Sequence, residues 1–333
     1  MLGNLLANFL RCDRAAAATV AAAANGPEWS EQQAAENAER ARAEAPDISA
    51  DQNVIAGQLL IDSILSKPVY DDPKRLERFG WKAYSQNDED GILQEIFRRI
   101  GVRHRSFVEF GCGFGLENNT AYLLSQGWHG LWMDGSDVNA MRIRAGFGYL
   151  IDHGLLQFSQ SFITRENIDG LIAAAALGPE IDLLSIDVDG NDYYVWEAIE
   201  SVDARVVVIE YNAKFRPPHT WCMTYNPGHT WGGSDQVGSS LGALERLGQA
   251  KGYELVGCSI VGGNAFFVRR DLVGDLFATP ATPEHLFQPA RYFLTTAFHA
   301  GHHPNSMSIV EGACIGAQLP WPPASPISLI VVA

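Results

Sequence analysis

Short apolar runs alternate with amphipathic stretches through the middle of the chain. The apolar runs predict strands near 106–110, 130–134, 155–159, 181–186 and 204–210, and each of the first four precedes a helical pattern. A helix is predicted before them, over 87–100, because Ile92, Ile96 and Ile100 recur at helical spacing ahead of Gly101. Short buried strands that alternate with helices are typical of a parallel sheet covered on both faces.

Beyond residue 238 the pattern changes to one helix and two neighbouring strands. The helix is predicted over 239–251, and the apolar runs 253–258 and 265–268 flank Gly262-Gly263-Asn264, which indicates a hairpin. The sequence therefore predicts an α/β fold whose sheet is mostly parallel and closes with an antiparallel last strand.

Both ends of the chain are predicted to lie outside this sheet. One helical pattern opens at Ser30, with capping-box spacing, and a second, separate pattern covers about 51–65. We expect a helical N-terminal extension over 1–75, which either packs on the core or supports a homodimer. The main domain is expected over 76–275, and a C-terminal extension over 276–333 is expected to contribute to the substrate pocket.

Composition narrows the class of protein. The chain has 333 residues and is 47% apolar, which suffices for a full core. Its formal charge of -15 argues against nucleic acid, because such binding depends on Lys and Arg. No apolar run reaches the roughly 18 residues of a membrane span. Five scattered cysteines without paired spacing fit a reducing compartment, so a cytoplasmic protein is expected.

Two strand ends carry the pattern of a site for a nucleotide-type ligand. The strand 106–110 runs into a turn from Gly111 to Gly115, where glycine permits close approach of a ligand, and the amides of a helix that starts within 117–120 would face that ligand. The next strand ends at Asp134, which is well placed to bind two ribose hydroxyls. The alternative is that Asp134 only begins a turn with Gly135 and Ser136.

Five short motifs extend this pattern: Tyr84-Ser85-Gln86, Glu89-Asp90-Gly91-Ile92, Phe107-Val108-Glu109-Phe110-Gly111, Glu117-Asn118-Asn119-Thr120 and Gly127-Trp128. Their joint spacing resembles the FkbM-type group of class I S-adenosylmethionine-dependent methyltransferases, over residues from about 80 to 270. The resemblance implies a Rossmann-like seven-stranded class I methyltransferase sheet and S-adenosylmethionine as the cofactor.

The resemblance also implies a set of cofactor-binding residues. Glu109 would orient the amino-acid end of the cofactor through the glycine turn, Gln86 would close over it, and Phe162 would sit beside the adenine. Core packing is the alternative for Phe162. The full expected set is Gln86, Glu109, Gly111, Gly113, Gly115, Asn119, Asp134, Ser161, Phe162 and Asp187.

The fourth and fifth strands end in a group of acids. Asp187, Asp189 and Asp192 follow the strand 181–186, and Glu210 and Asn212 end the next one, so they share one edge of the sheet. Such crowding is costly unless a cation offsets it. Asp187, Glu210 and Asn212, with Asp189 as a replacement, are therefore a candidate Mg²⁺ site, a pattern that resembles certain sugar and catechol O-methyltransferases. The alternative is a turn at 189–191 and a helix cap at Asp192.

Residues 212–238 are a long insertion, rich in aromatic side chains, which we expect to form the acceptor pocket. Methyl transfer requires in-line positioning and removal of a proton. The candidate catalytic residues are Asp187, Asp189, His219 and His229. A further cluster, His299-Ala300-Gly301-His302-His303, is interpreted as pocket edge or surface first and as a metal site second.

The sequence thus predicts an S-adenosylmethionine-dependent O-methyltransferase that acts on a hydroxyl of a sugar or a glycosylated small molecule, with Mg²⁺ as a candidate helper. N-methylation of an amino sugar is the alternative within methyltransferases. Two hypotheses from outside that class are a non-catalytic cofactor-binding partner protein and a nicotinamide oxidoreductase.

Overall fold

A computed structural model describes residues 48–294 of the chain. The chain divides into two compact units, residues 1–53 and 54–333, and the description of the first begins only at residue 48. The helical pattern predicted from Ser30, the histidine cluster at 299–303 and most of the predicted C-terminal extension lie outside the described residues. The predicted division at residues 75 and 275 stays a prediction.

Helices and strands alternate along the described part of the chain. The strands are β1 Ser106–Phe110, β2 His129–Asp134, β3 Leu156–Gln160, β4 Glu180–Ile186, β5 Asp203–Glu210, β6 Tyr253–Cys258 and β7 Asn264–Arg269. The helices are α1 Ile48–Leu65, α2 Glu89–Ile100, α3 Ala121–Ser125, α4 Asp137–Asp152, α5 Ile168–Ala174, α6 Asp192–Ala198, α7 Leu241–Ala250, α8 Arg270–Val273 and α9 Pro283–Leu286. Within residues 48–294, no helix is both long and apolar enough to cross a membrane.

The strands form one sheet in the order β3-β2-β1-β4-β5-β7-β6. Strands β1 to β5 are parallel, and β7 pairs antiparallel with both β5 and β6. The sheet confirms the predicted fold, a Rossmann-like seven-stranded class I methyltransferase sheet with an antiparallel closing strand.

Both faces of the sheet are covered by helices. Side chains alternate between the faces of a strand, so Val108 and Phe110 belong to one apolar cluster and Phe107 to the other. The first cluster includes buried side chains of α5, α6 and α7, and the second includes side chains of α2, α3 and α4. The carboxyl ends of the parallel strands remain between these two layers, and we call this side of the sheet the carboxyl edge.

The opposite side, the amino edge, carries acids that are paired with guanidinium groups. Asp182 is fully buried and accepts hydrogen bonds from three successive backbone amides, those of residues 103, 104 and 105, at 2.9, 2.6 and 2.6 Å. The Nε atom of Arg205 lies 3.4 Å from the same carboxylate. Glu180 accepts a hydrogen bond of 2.7 Å from Arg269. Charge at this edge is thus balanced within the fold.

Candidate functional site

The turn after β1 is held tightly between the two neighbouring strands. The Gly111 amide donates to the carbonyl of Met133 at 3.0 Å, and the Asp187 amide donates to the carbonyl of Phe110 at 3.3 Å. Gly111 has a φ of +72°, and a Cβ built there would lie 1.5 Å from the Asp187 carbonyl oxygen. Glycine is needed at this position because the backbone that follows β4 passes over it.

The other two glycines of the turn differ in their surroundings. Gly113 has a φ of +56°, and no atom lies within 4 Å of the place where its Cβ would be. A Cβ at Gly115 would instead meet Trp132 at 2.7 Å and Phe147 at 2.8 Å. The space above the turn is therefore open at Gly113, whereas Gly115 serves the packing of the core.

Glu109, the acidic residue within β1, is buried and fully engaged by protein donors. Its carboxylate accepts from the Asn118 side chain at 2.7 Å, from the Asn119 amide at 2.8 Å and from Ser185 at 3.0 Å. The Thr120 amide and hydroxyl donate to it as well. Burial raises the pKa of Glu109, and these hydrogen bonds act in the opposite direction. Glu109 thus organises the segment that follows the glycine turn.

This arrangement corrects one expectation about the helix start. Helix α3 begins at Ala121 and has five residues. The amides of Asn119 and Thr120 donate to Glu109, so they are not available to a ligand. The buried carboxylate competes for the donors that the sequence pattern assigned to the cofactor.

A cleft of about 550 Å³, measured with its open mouth, lies between the glycine turn and the end of β4. Its lining residues are Gln86, Glu109, Gly111, Cys112, Gly113, Phe114, Glu117, Asn118, Asn119, Asp187 and Asn264. Six residues of the expected cofactor set are among them, and Gly115, Asp134, Ser161 and Phe162 are not.

Asp134, Ser161 and Phe162 lie together at the adjoining ends of β2 and β3. Asp134 is buried, and its Oδ1 atom accepts hydrogen bonds from the Ser136 amide at 2.8 Å and the Asn139 side chain at 3.1 Å. The Ser161 amide donates to the carbonyl of Asp134 at 3.0 Å. Phe162 is 49% exposed, so it is not a core residue. The ends of β2 and β3 thus carry a buried carboxylate and an exposed aromatic ring.

The acid rim, which we define as Asp187, Asp192 and Glu210, lies at the ends of β4 and β5. Each of the three side chains offers a carboxylate oxygen, and these oxygens all lie within 4.8 Å of one another. Among the described residues, no ion pair involves any of them. The rim therefore brings three acids together without a cationic side chain of the described residues paired to them.

The pKa values of the rim follow from this crowding. Burial raises the pKa of Asp187 well above its ordinary value, and repulsion from Asp189 and Asp192 raises it further. Burial and repulsion from Asp187 raise the pKa of Glu210 in the same way. The pKa of Asp192 rises to about 6, chiefly through burial.

Asp192 of the rim and the neighbouring Asn212 are committed to local structure. Asp192 accepts hydrogen bonds from the amides of Val188 at 2.8 Å and Gly190 at 2.9 Å, so it closes the turn after β4. The side chain of Asn212 donates to two backbone carbonyls, those of residues 235 and 237, and its oxygen accepts from the Lys214 amide. The carboxylate oxygens of Asp192 and the side-chain oxygen of Asn212 each retain a lone pair for a further hydrogen-bond or metal partner.

The insertion 212–238 is tied to the sheet and to the start of α6. The Nζ atom of Lys214 lies 3.2 Å from Asp235, and both side chains are buried. The side chain of Asn191 donates to the carbonyl of Asn226 at 2.7 Å, and the hydroxyl of Tyr194 donates to the carbonyl of residue 223 at 2.8 Å. These contacts give the insertion a fixed path beside the acid rim.

The structure separates the two candidate histidines. A Cβ at Gly190 would lie 2.6 Å from Cδ2 and 2.8 Å from Nε2 of His229, so this imidazole lies against the turn that follows Asp187. Within residues 48–294, Nε2 of His229 has no hydrogen-bond partner. His219 is exposed, and its carbonyl approaches Gly242 at the start of α7. Of the two imidazoles, only that of His229 packs against the turn that follows Asp187.

Five lining residues of the cleft fall outside the predicted set: Cys112, Phe114, Glu117, Asn118 and Asn264. The first four lie in or beside the glycine turn, so proximity in the sequence was a usable signal. Asn264 begins β7, where it pairs in register with Glu210. Nothing in the local sequence marks it, because the hairpin topology alone brings it to the cleft.

Comparison of the sequence with protein-family models gives no match, and comparison with curated proteins gives none either. Among solved structures, the chain is similar to magnesium protoporphyrin IX methyltransferase (ChlM) from Synechocystis PCC 6803 with bound SAM. The identity is 11% over 64% of this chain and 97% of that chain, with a TM-score of 0.37.

Two further structures show likenesses of the same order. An S-adenosylmethionine-dependent methyltransferase from Clostridium acetobutylicum ATCC 824 is 10% identical over 63% of this chain and 98% of that chain, with a TM-score of 0.35. WbdD is 18% identical over 56% of this chain, with a TM-score of 0.33, and the match spans 40% of WbdD. These likenesses are distant, and the fold described above rests on the sheet order itself.

Proposed function

We propose that the chain is an S-adenosylmethionine-dependent methyltransferase that resembles the FkbM-type group. The observation that carries the proposal is the cleft at the carboxyl edge, open above Gly113 and close to an acid rim that has no ion-pair partner among the described residues. Ligands of open α/β sheets bind at this edge. The acids of the rim would bind a positively charged ligand or ion, which would offset their mutual repulsion and lower their pKa values.

The cofactor would lie across the ends of β1 and β2. Its amino-acid end would occupy the cleft between Gln86 and Asn118, and its ribose would bind the Oδ2 atom of Asp134, since the described hydrogen bonds to that carboxylate use Oδ1. The exposed ring of Phe162 would stack on the adenine. Glu109 would act indirectly, by shaping the segment that lines the cleft.

S-adenosylmethionine supplies a methyl group that is already activated as part of a sulfonium, so the chain has to position an acceptor and remove a proton. His229 is the proposed base, because it lies against the turn after Asp187 and its Nε2 atom has no partner in the described part of the chain. The hydroxyl of the acceptor would lie between this imidazole and the acid rim.

The rim residues fit a hard divalent ion in their chemistry, because they offer carboxylate oxygens. Asp187 and Glu210, with Asn212, would hold Mg²⁺, and Asp189 stands beside them as a replacement. Such an ion lowers the pKa of a hydroxyl that it binds. The acceptor that we propose is a sugar or a glycosylated small molecule, since the insertion presents aromatic rings beside polar groups.

Calorimetry tests the cofactor directly. S-adenosylhomocysteine and NAD would each be titrated into the full chain, and we expect binding of S-adenosylhomocysteine together with no measurable heat for NAD. A preference for NAD would replace the proposal with a nicotinamide oxidoreductase. The same titration with Asp134→Ala checks that the binding occurs at the ends of β1 and β2.

N-methylation of an amino sugar is a second candidate, because an acid rim also attracts an ammonium group. Thermal unfolding in MgCl₂ or in glucosamine, each on the wild type and on Glu210→Gln, separates the two. Stabilisation by Mg²⁺ that disappears in Glu210→Gln supports the metal-assisted O-methyltransferase. Stabilisation by glucosamine alone supports the amine acceptor. Cofactor binding without turnover on any sugar panel would leave a non-catalytic binding protein.

The remaining expectations belong to the same proposal. The homodimer, the contribution of residues 276–333 to the pocket and the cytoplasmic location stay predictions. Size-exclusion chromatography with light scattering tests the first, and an acceptor titration of a chain that ends at residue 294 tests the second.

A further inference from the structure

The segment before α2 passes the mouth of the cleft and is fixed by one carboxylate. Oδ2 of Asp90 accepts hydrogen bonds from three successive amides, those of Ala83, Tyr84 and Ser85, at 2.6, 2.7 and 2.9 Å. In return, the Asp90 amide donates to the Ser85 hydroxyl at 3.2 Å. Asp90 is buried, and its bond to the Ser85 amide is buried with it, whereas the bonds to the amides of Ala83 and Tyr84 are partly buried. The path of the chain up to residue 85 is thus set by Asp90.

The neighbouring acid fixes the chain on the other side of residue 86. Glu89 is fully buried and accepts from the amide of Asn87 at 2.8 Å and from its side chain at 3.2 Å. The side chain of Asn264, which lines the cleft, donates to the same carboxylate at 2.9 Å. Glu89 therefore links the segment to the start of β7.

Gln86 is the residue between these two attachments. Its carbonyl accepts from Lys82 at 3.0 Å, its side chain is exposed, and it lines the mouth of the cleft. We propose that Asp90 and Glu89 are positioning residues, which hold Gln86 so that its side-chain amide contacts the amino-acid end of bound S-adenosylmethionine. This inference rests on the proposed function.

A carboxylate suits this task because hydrogen bonds to a charged acceptor are the stronger ones and three of them orient one stretch of backbone. An exposed Gln side chain on a mobile segment would lose both backbone and rotamer freedom on binding. When the backbone is already fixed, only the side-chain part of that cost remains. Asp90 thus acts on affinity through Gln86 and touches no ligand itself.

A double-mutant cycle on the full chain tests this dependence. S-adenosylhomocysteine is titrated into the wild type, Asp90→Ala, Gln86→Ala and the double variant. We expect each single variant to bind about tenfold more weakly, the equivalent of one lost hydrogen bond. In the Gln86→Ala background, the added Asp90→Ala change should alter the affinity by less than about twofold. Asp90→Asn, which keeps an acceptor oxygen, should restore part of the affinity.

Asp182→Asn is the matched control, because Asp182 also receives three successive amides but lies at the amino edge. It should lower the unfolding temperature and leave the affinity for S-adenosylhomocysteine unchanged. Hydrogen exchange should accelerate at residues 83–85 in Asp90→Ala and not in Asp182→Asn. If Asp90→Ala does not fold, the cycle is run with Asp90→Asn.

The outcomes separate the inference from the proposed function. An equal loss of affinity with and without Gln86 overturns the positioning role, as does wild-type affinity in Gln86→Ala, and both leave the proposed function standing. A wild-type chain that does not bind S-adenosylhomocysteine overturns both. Affinity that depends on Asp90 only when Gln86 is present supports the inference.

Discussion

The two edges of the sheet treat their acids in opposite ways. At the amino edge, Asp182 and Glu180 are each paired with a guanidinium group, and Asp182 also receives three backbone amides. At the carboxyl edge, the acid rim consists of carboxylates that face one another. The same strand contributes to both groups of acids, since Asp182 lies within β4 and Asp187 directly follows the end of β4.

The difference separates charge that builds the fold from charge that remains for a ligand. A buried carboxylate with a full set of donors contributes to stability, and its loss leaves those donors unsatisfied. A carboxylate that faces other carboxylates raises the free energy of the folded state until a cation arrives. Replacing an acid by a neutral residue should therefore lower the free energy of unfolding at the amino edge and raise it at the acid rim.

The largest expected effect is at the amino edge. Asp182→Ala leaves three amides without their acceptor and Arg205 without its ion-pair partner, and we expect a loss of about 3–5 kcal/mol in the free energy of unfolding. Urea unfolding measures it, with the affinity of the folded fraction for S-adenosylhomocysteine as the control. A loss below about 1 kcal/mol would contradict the assignment of Asp182 to the fold.

Gly111→Ala should have the second-largest effect, because it disturbs a close backbone contact at the carboxyl edge. The new methyl group meets the Asp187 carbonyl in a backbone of positive φ, and we expect a loss of about 3–4 kcal/mol together with loss of cofactor binding.

Gly113→Ala is the matched control for that change, since Gly113 shares the positive φ but has open space above it. We expect a loss of about 1–2 kcal/mol in stability. Its methyl group enters the cleft, so the affinity for S-adenosylhomocysteine should fall by more than the stability implies. Equal stabilities of the two variants in urea would show that the close contact with Asp187 does not matter.

Asp134→Ala sharpens the comparison, because Asp134 lies at the carboxyl edge but has hydrogen-bond donors on one oxygen. Loss of the proposed ribose contacts should weaken S-adenosylhomocysteine binding by about 1–3 kcal/mol in calorimetry. Wild-type affinity in this variant would remove Asp134 from the site.

Glu210→Gln is expected to have the smallest effect and the opposite sign. The buried, crowded position makes Glu210 costly to ionise, so replacing it with a neutral amide should raise the free energy of unfolding by about 1 kcal/mol at pH 8. Urea unfolding of this variant beside Asp182→Asn makes the comparison direct. Destabilisation of both variants by similar amounts would show that the two edges do not differ.

The pH dependence follows from the raised pKa values of the rim. Because the folded-state pKa values lie above the unfolded ones, the folded state binds more protons than the unfolded state at intermediate pH. Stability should therefore fall as the pH rises from the unfolded values near 4, for Asp192 until about pH 6. In Glu210→Gln this fall should be shallower.

Much of the fold could be predicted because its signals are local. The strand predicted over 106–110 coincides with β1, and the hairpin strand predicted over 253–258 coincides with β6. The position of such a strand is set by its own apolar residues, because a strand that is buried on both faces needs apolar side chains along its whole length. The glycine turn could be predicted for the same reason. Each positive φ value in the turn falls on a glycine, and glycines can be read directly from the sequence.

The site was less predictable because its contacts join distant parts of the chain. Glu109 takes donors from residues 118–120 and from Ser185, so its role in the fold appears only in three dimensions. His219 and His229 lie in one insertion with similar neighbours, and only the packing against Gly190 distinguishes them. Asn264 reaches the cleft solely because β7 is inserted next to β5.

The placement of β7 also bears on the order of events during synthesis on the ribosome. A nascent chain that has emerged only as far as β5 has the glycine turn and the acid rim, but it lacks the wall that Asn264 provides. Asn264 reaches the cleft only when β7, the second strand of the hairpin, pairs with β5. Under the proposed function, a complete cleft for the cofactor is therefore expected only after the hairpin has joined the sheet.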